Sequence, residues 1–499
     1  MEVDVVVLGS GFGGSLTALL LSRIGLRPVL IDRGRHPRFA IGESSTPIAD
    51  LVLSDLADCY DLPRLRPLAK NGSWKKSYPE LRCGIKRGFS YFRQEPEEAF
   101  RPAAEHANEL LVAASSDDEH SDTHWHRADV DAFFAAEVRR EGLPFFEGVD
   151  ATVSAGSPGW RVAGRLENQT LDVSAKFIID ATGEAGVMRR VLGLRDESSR
   201  LQTRSRAIFA HFEDVRPWRD MLLDGADVDY PFPCDHAALH QVIDEGWMWQ
   251  LRFDSGIVSA GFAIDEATWP LDESLPIEAE WSMLLKRYPS IAEQFASAKI
   301  VAPPGGLRRT GRMQRLASQL VGDDWALLPH TAGFIDPLHS TGIAQTLCGV
   351  ERLTGILEAH WRRPTLSDEL ARYQDCLRQE FAFIDRIVSA GYAARREFRL
   401  FATVSMLYFA AATTYERRRQ AGELRRGSAF LCADDAKLVN AVAAVEQDLN
   451  RKRSDGPSNA AMGKFEQETA ETIRPFNHVG LFDPRARNMY RYTALPITD

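Results

Sequence analysis

The chain has 499 residues, 44% of them hydrophobic and 26% charged, which fits a globular protein of two or three domains. A formal charge of −10 with no dense Lys/Arg block excludes a general nucleic-acid binder, and the basic spots at residues 417–419 and 425–426 read as solvated faces. Six scattered cysteines without a CxxC pair exclude a disulfide framework and a zinc site, so no metal is expected and a reducing cytoplasm is the simplest location.

Glu2 and Asp4 lead directly into a strand, which does not read as a signal peptide. Residues 3–8, largely apolar, predict a strand buried on both faces of a parallel sheet. Gly9, a helix over 15–24 and a strand over 28–31 complete a βαβ opening. Residues 51–58 read as helix, 94–122 as a polar, acidic, loop-rich stretch, and 129–140 as an amphipathic helix. A hairpin is expected over 152–162 and 170–173, followed by a buried strand over 176–180. Period-two alternation between 204 and 265, broken at 227–240, predicts a second sheet inserted in the first domain. A short buried strand returns at 326–328, and helical periodicity dominates 351–450. The longest apolar run, 404–413, is too short to span a bilayer, so no membrane association is expected. Residues 451–463 read as a linker, and the tail from Phe465 carries Pro475, Pro484 and Pro496.

Three motifs carry chemistry. Gly9-Ser10-Gly11-Phe12-Gly13-Gly14 is a GxGxxG between a predicted strand and helix. Gly9 permits the tight turn, Gly11 the approach of a pyrophosphate, and Gly14 close packing of helix on strand. Asp32 ends the next strand, where a ribose-binding carboxylate belongs, and Arg33 follows it. The second motif is Phe334-Ile335-Asp336-Pro337-Leu338-His339-Ser340-Thr341-Gly342: a turn, then a helix start that Ser340 or Thr341 can cap and whose free amides suit an anion. The third is Cys83-Gly84-Ile85-Lys86-Arg87-Gly88-Phe89, a strand with a lone lysine. Alternation predicts Lys86 on the face of Gly84, Gly88 and Ser90, opposite Ile85, Arg87, Phe89 and Tyr91. Lys75 and Lys76 lie in a polar, turn-like stretch.

With Glu43, Ser44, Arg127, Asp180 and Gly183, these residues resemble the FAD-binding domain of FAD-dependent aromatic hydroxylases and halogenases. Trp247-Met248-Trp249 resembles the WxWxIP signature of flavin-dependent halogenases, and Phe334, Pro337, Ser340 and Gly342 match their FxxPxxSxG signature. The lysine strand is similar to that of the phenol halogenases. The resemblance covers most of residues 1–350 and implies an α/β fold (α+β overall). A doubly wound FAD-binding domain would span 1–200 and 300–350, an inserted mixed or antiparallel substrate sheet 201–299, and a helical C-terminal region over the substrate site 351–499.

The resemblance also implies the reaction. FAD, reduced by a separate flavin reductase, works with O2 and a halide ion, chloride or bromide, to give hypohalous acid. Lys86 holds it by an ammonium hydrogen bond or as a haloamine, and an electron-rich aromatic ring takes up the halogen. The FAD site would comprise Gly9, Gly11, Phe12, Gly13, Gly14, Asp32, Arg33, Glu43, Ser44, Arg127, Asp180, Gly183, His330, Gly333 and Ile343. The halide would lie at Pro337, Ser340, Thr341 and Gly342, with Trp247 and Trp249 as a barrier between flavin and substrate. The substrate is small and aromatic, free or carrier-tethered, and a homodimer is left open.

Three departures stand out. His339 replaces the glutamate of tryptophan halogenases, which points to a phenol or pyrrole; it can serve as a base or as a hydrogen-bonded spacer. Leu251-Arg252 replaces Ile-Pro after the tryptophans, and His330 replaces an aspartate that usually meets the ribityl chain. The rival readings are an NAD(P)H-dependent aromatic hydroxylase, a flavoprotein reductase or dehydrogenase, and a non-catalytic flavin- or partner-binding protein.

Overall fold

Among the described residues, two large sheets, two small two-stranded ones and a helical layer arise from these patterns. The computed structural model describes residues 1–491 and 493, except 157–158, 167–168, 223–224, 425–426 and 454–457. The basic spot at 425–426, part of the expected linker at 451–463 and Pro496 fall outside the described residues. In chain order, the elements that position the site are β1 (Glu2–Leu8), α1 (Phe12–Arg23), β2 (Pro28–Asp32), α2 (Pro47–Cys59), β3 (Cys83–Lys86), β4 (Gly88–Arg93), β5 (Glu109–Ala113), β6 (Asp122–Trp125), α3 (Arg127–Arg140), β7 (Phe145–Glu147), β8 (Gln169–Asp180), β9 (Ser205–Glu213), β10 (Ala238–Ile243), β11 (Gly246–Arg252), β12 (Val258–Asp265), β13 (Trp325–Leu327), α4 (Thr341–His360), α5 (Leu366–Ala394) and α6 (Phe398–Gln420).

Val5, Val6 and Val7 of β1 are fully buried, as a strand between two helical layers requires. β1 pairs in parallel with β2 on one side and β8 on the other. β7 extends the sheet beyond β2, and β13 beyond β8, giving the order β13-β8-β1-β2-β7. The chain builds outward from β1 through β2 to β7, then crosses to β8. The crevice at the carboxyl ends of β1 and β8 is therefore a topological switch point, where ligands bind in such sheets.

The second sheet runs Lys299–Ala302, β9, β12, β11, β10, β4, β5 and Met489–Tyr490. Its span is wider than the expected 201–299 insert: β4 and β5 come from within 1–200 and the last strand from the C-terminal region. The stretch 94–122, expected as loop, holds β5, whose Glu109-Leu110-Leu111-Val112-Ala113 are all buried. That apolar run is too short to register within its polar surroundings.

The lysine strand is corrected more sharply. β3 and β4 belong to different sheets, and the chain breaks at Arg87, whose N–H donates to His236 O at 2.7 Å. Alternation therefore does not carry through from β3 to β4. Lys86 lies over the Phe89 ring, 4.2 Å from its centroid, while the Ser90 hydroxyl donates to Cys234 O instead. The expected pairing of faces is inverted at this point.

Helices α5 and α6 pack against each other over the second sheet. Residues 400–416 of α6 are buried throughout, and Phe401, Tyr408 and Phe409 set their rings against Phe89 and Tyr91 of β4. A helix apolar on every side is a buried one. Among the described residues no helix is long and apolar enough to cross a membrane.

Candidate active site

The turn after β1 is built from glycine because nothing else fits. Gly9 adopts φ +95°, and a Cβ there would lie 2.6 Å from Ala181 O. A Cβ on Gly14 would lie 1.9 Å from Gly9 O. Gly11 is different: a Cβ there would make ordinary contact, at 3.7 Å, with Arg127 and Asp131, and its backbone lines the cavity. Asp32 is buried and accepts from Ser10 N at 2.6 Å, Ser10 Oγ at 2.8 Å, Gly34 N at 2.7 Å and Arg38 Nη2 at 2.8 Å. Burial opposes its ionisation, but Arg38 and these donors hold it below the ordinary carboxylate range. Arg33 is exposed at the rim.

Arg127, at the start of α3, grips Asp131 with Nε and Nη2 at 2.9 Å each and donates Nη1 to Ile41 O and Gly42 O at 3.0 Å. Its guanidinium lies 4.8 Å from the Phe12 ring centroid, and Asp131 accepts from Phe12 N at 3.1 Å. Arg127 thus ties the glycine turn, α3 and the Gly42 segment together. Asp131 was not singled out from sequence. Its spacing of four from Arg127 on a predicted helix was the available signal.

These elements open into a cavity of about 1110 Å³ running from the glycine turn to the second sheet. Gly9, Gly11, Phe12, Gly13, Gly14, Asp32, Arg33, Glu43, Ser44 and Arg127 line its near end. Gly183, Trp247, Trp249, His330, Pro337, Ser340, Gly342 and Ile343 line the remainder. Glu43 is buried with an oxygen 2.9 Å from His211 Nε2. The His330 ring stands between the backbones of Gly183 and Gly342, each about 4 Å away measured from a Cβ built there, and tilts on Phe334. Its side chain is exposed to the cavity, beside the cations Arg315 and Arg127.

Two expected cofactor contacts do not reach the cavity. The Asp180 carboxylate is fully buried and is occupied by Thr182 N and Oγ1 and by Met188 N, so it braces the turn after β8. Gly333 lies against Phe381, 2.8 Å from a Cβ placed there, in extended backbone. It is a packing glycine. Lys86, His339 and Thr341 also stand outside the cavity lining.

At the far end, Ser340 takes a left-handed conformation, φ +54°, directly before α4. Neither Ser340 nor Thr341 caps the helix as expected. The Ser340 hydroxyl donates to Ser44 Oγ at 3.0 Å instead, leaving the first amides of α4 without a side-chain acceptor among the described residues. Asp336 fixes the preceding turn by accepting from Ser205 Oγ at 2.7 Å, Tyr392 OH at 2.9 Å and Leu338 N at 3.1 Å. Burial raises its pKa to about 6. These first amides, the turn at Pro337 and the Gly342 backbone form an anion-accepting corner.

Trp247 and Trp249 share one face of β11 and form the cavity wall toward Lys86. Trp247 donates to Tyr392 OH at 3.1 Å and its ring meets His240 at 5.1 Å. His240 stacks on Tyr91 at 4.4 Å, and Tyr91 on Phe89 at 6.3 Å. Behind this row Lys86 is fully buried, with Nζ donating to Ser45 O. Burial lowers its pKa to about 8, although Asp122 and Asp50 favour the ammonium. Lys75, by contrast, pairs with Asp254 near the surface. His339 is buried face to face with Tyr408, ring centroids 4.7 Å apart and planes within 6°. Among the described residues its Nδ1 has no hydrogen-bond partner, and burial lowers its pKa to about 3. It is neither the hydrogen-bonded spacer of the sequence reading nor a base of ordinary strength.

A family model described as tryptophan halogenase matches residues 119–405, more than half of the chain. The chain is 29% identical to the tetracycline 7-halogenase of Kitasatospora aureofaciens, over 83% of this chain and 74% of that protein. It is 27% identical to the monodechloroaminopyrrolnitrin halogenase PrnC of Pseudomonas fluorescens, over 99% of this chain and 90% of that one. The solved structure of halogenase PltM in complex with phloroglucinol and FAD matches with a TM-score of 0.85 at 23% identity, over 99% of each chain, a likeness of fold.

Proposed function

Since this chain belongs to the tryptophan halogenase family of FAD-dependent halogenases, we propose that it halogenates an electron-rich phenol or pyrrole rather than tryptophan. The observation that carries the halogenation chemistry is the short path between the two chemical centres. Ser340, at the anion corner, donates to Ser44, and the next residue, Ser45, accepts from Lys86. Only Ser44 and Ser45 separate the corner from the lysine, so hypohalous acid formed at the corner has a short way to Lys86.

The cavity fits FAD. The glycine turn leaves room for a pyrophosphate at Gly11, with Arg127 beside it to balance its charge, and Asp32 stands at the end of β2 for a ribose. Bound there in reduced form, and supplied by a separate reductase, FAD provides the two-electron chemistry that turns oxygen and halide into hypohalous acid. The amides at the start of α4 hold the halide. Trp247, Trp249 and His240 keep the substrate ring off the cofactor, so oxygen is not transferred to it directly. Lys86 holds the hypohalous acid; its lowered pKa also brings the neutral amine within reach, so a haloamine forms near neutral pH.

The phenol or pyrrole assignment rests on His339. A buried, neutral imidazole stacked on Tyr408 cannot assist loss of an indole ring proton, whereas a phenol is activated by its own hydroxyl. The substrate is free or carrier-tethered. The test is a mass-spectrometric screen of phenols, pyrroles and indoles with FAD, a reductase, oxygen and either chloride or bromide. The expected result is a halogenated phenol or pyrrole whose formation vanishes in Lys86→Ala while FAD still binds. NAD(P)H oxidation by the protein alone, or tryptophan as the best substrate, would overturn the assignment.

A further inference from the structure

Lys86 enters the protein interior directly opposite Asp122, its partner in the antiparallel β3–β6 register. Opposed residues in such a pair project to the same face. Both side chains are fully buried, and among the described residues no N–H or hydroxyl donates to Asp122; its hydrogen-bond neighbour is the Asp50 carboxyl. A buried carboxylate without donors is costly unless a cation or a shared proton compensates it.

The compensation converges from several elements. Asp50 of α2 accepts from Ser45 Oγ at 3.0 Å and from Lys70 Nζ at 3.0 Å. Lys70 also stands 3.6 Å from Asp122. Glu416 of α6 completes the group, and burial next to Asp122 raises its pKa to about 8. Burial likewise pushes the Asp50 carboxyl well up, against the pull of Lys70 and with Asp122 adding to it. Asp50 and Glu416 are therefore held toward their neutral forms, while the neighbouring carboxyls hold Lys70 as an ammonium. Ser45 links the group to Lys86, since its hydroxyl meets Asp50 and its carbonyl meets Lys86. Lys70, about one third exposed, is the outlet to solvent.

The other groups facing Lys86 carry no charge. His124 of β6 and His240 of β10 are held neutral by burial, each at about 3. Tyr91 and Tyr408 are phenols kept neutral by burial. Asp122 and Asp50 are thus the ionisable partners through which the charge on Lys86 is set.

Building on the halogenase reading, we propose that Asp122 is the positioning residue of Lys86, and that with Asp50, Glu416 and Lys70 it forms a buried relay for the lysine's proton. On leaving Ser45 O, the Lys86 ammonium gives a proton to the Asp122 carboxylate opposite it: an N–H bond breaks, its electron pair stays on nitrogen, and an O–H bond forms. The amine then takes the halogen from hypohalous acid, so that ammonium, hypohalous acid and carboxylate become haloamine, water and carboxylic acid. The halogen carries its oxidising equivalents with it, and no further oxidant is consumed. Transfer of the halogen to the ring returns the ring proton to nitrogen, and the relay restores the ammonium from its stored proton.

The test compares wild type, Asp122→Asn and Asp122→Glu in pH–rate profiles of halogenation from about pH 6 to about pH 10, bracketing the lysine. The expected result for Asp122→Asn is that the limb assigned to Lys86 moves down by about one unit and kcat falls about tenfold, with the substrate KM and FAD affinity unchanged. Asp122→Glu restores the position of the limb. Asp50→Asn, whose amide oxygen still accepts from Ser45, shifts the limb in the same direction by less; it serves as the second variant if Asp122→Asn fails to fold. An unmoved limb in folded Asp122→Asn or Asp50→Asn, whether or not activity drops, overturns the relay. Wild-type turnover that survives Lys86→Ala overturns the halogenase reading itself, and the relay with it.

Discussion

The cofactor cavity and the Lys86 chamber meet along Ser44–Ser45 and at the Trp247–His240 contact, yet they are made in different ways. The cavity is formed by backbone: glycines that admit no Cβ, free amides at the start of α4, and one arginine bridging three segments. The chamber is formed by side chains, a closed row of rings and a knot of buried charge drawn from α2, β3, β6, β10 and α6. A site made of backbone is set by a few adjacent residues, and it fails when one of them gains an atom. A site made of side chains is set by the tertiary fold, and it fails through charge.

The largest expected effect lies on the cavity side. Gly9→Ala places a Cβ 2.6 Å from Ala181 O at φ +95°, so the turn must move. Strain of this kind costs about 1–3 kcal/mol, and the displaced turn abuts the cofactor site directly. FAD affinity should fall by up to about a hundredfold, measured by flavin fluorescence, while the Lys86 chamber, built on other strands, keeps its packing. Retention of FAD at wild-type affinity would show that the turn does not define the site.

This division also explains what could be read from the chain. The glycine turn, the tryptophan pair and the Phe334–Gly342 stretch were legible because each is a short run whose geometry is local. Asp180 and Gly333 were misread for the same reason: they sit in suitable runs, but the side chain of one is consumed by Thr182 and Met188, and the other packs on Phe381. The surroundings of Lys86 were illegible. Asp50, Lys70, Asp122 and Glu416 are brought together only by the fold, and the alternation that would have oriented the lysine is broken at Arg87, where the chain leaves one sheet for another.

A middle-sized effect tests the chamber by acid. Burial holds His124, His240 and His339 neutral, at about 3 against an ordinary 6.5. As pH falls below 6.5 the unfolded chain takes up protons that the folded one refuses, so their contribution to stability is lost progressively down to about 3. Asp50, Asp336 and Glu416 run the other way, because their raised folded values let the native state bind protons first. Their gain ends once the unfolded carboxyls also protonate, near 3.8 to 4.5. Stability should therefore change little down to about pH 4 and then drop steeply, by about 4 kcal/mol per pH unit for three histidines. Urea unfolding at stepped pH, followed by tryptophan fluorescence, checks this; a uniform decline starting near 6.5 would mean that the opposing carboxyls are absent.

The smallest effect is expected where the sequence drew the most attention. His339→Phe replaces a neutral ring stacked on Tyr408 by another flat ring of similar size, so the contact survives. It also removes one buried imidazole whose Nδ1 has no partner among the described residues. Halogenation of the preferred phenol or pyrrole should stay within about threefold of wild type, because an imidazole held at about 3 takes up no proton near neutrality. The acid slope should fall by about one third, since two of the three histidines remain. If His339→Phe instead lost about a hundredfold in kcat, with its pH profile losing a limb near 6.5, the imidazole would be a base that opens to solvent during turnover. The contrast between an open cavity and a closed chamber would then describe only the resting enzyme.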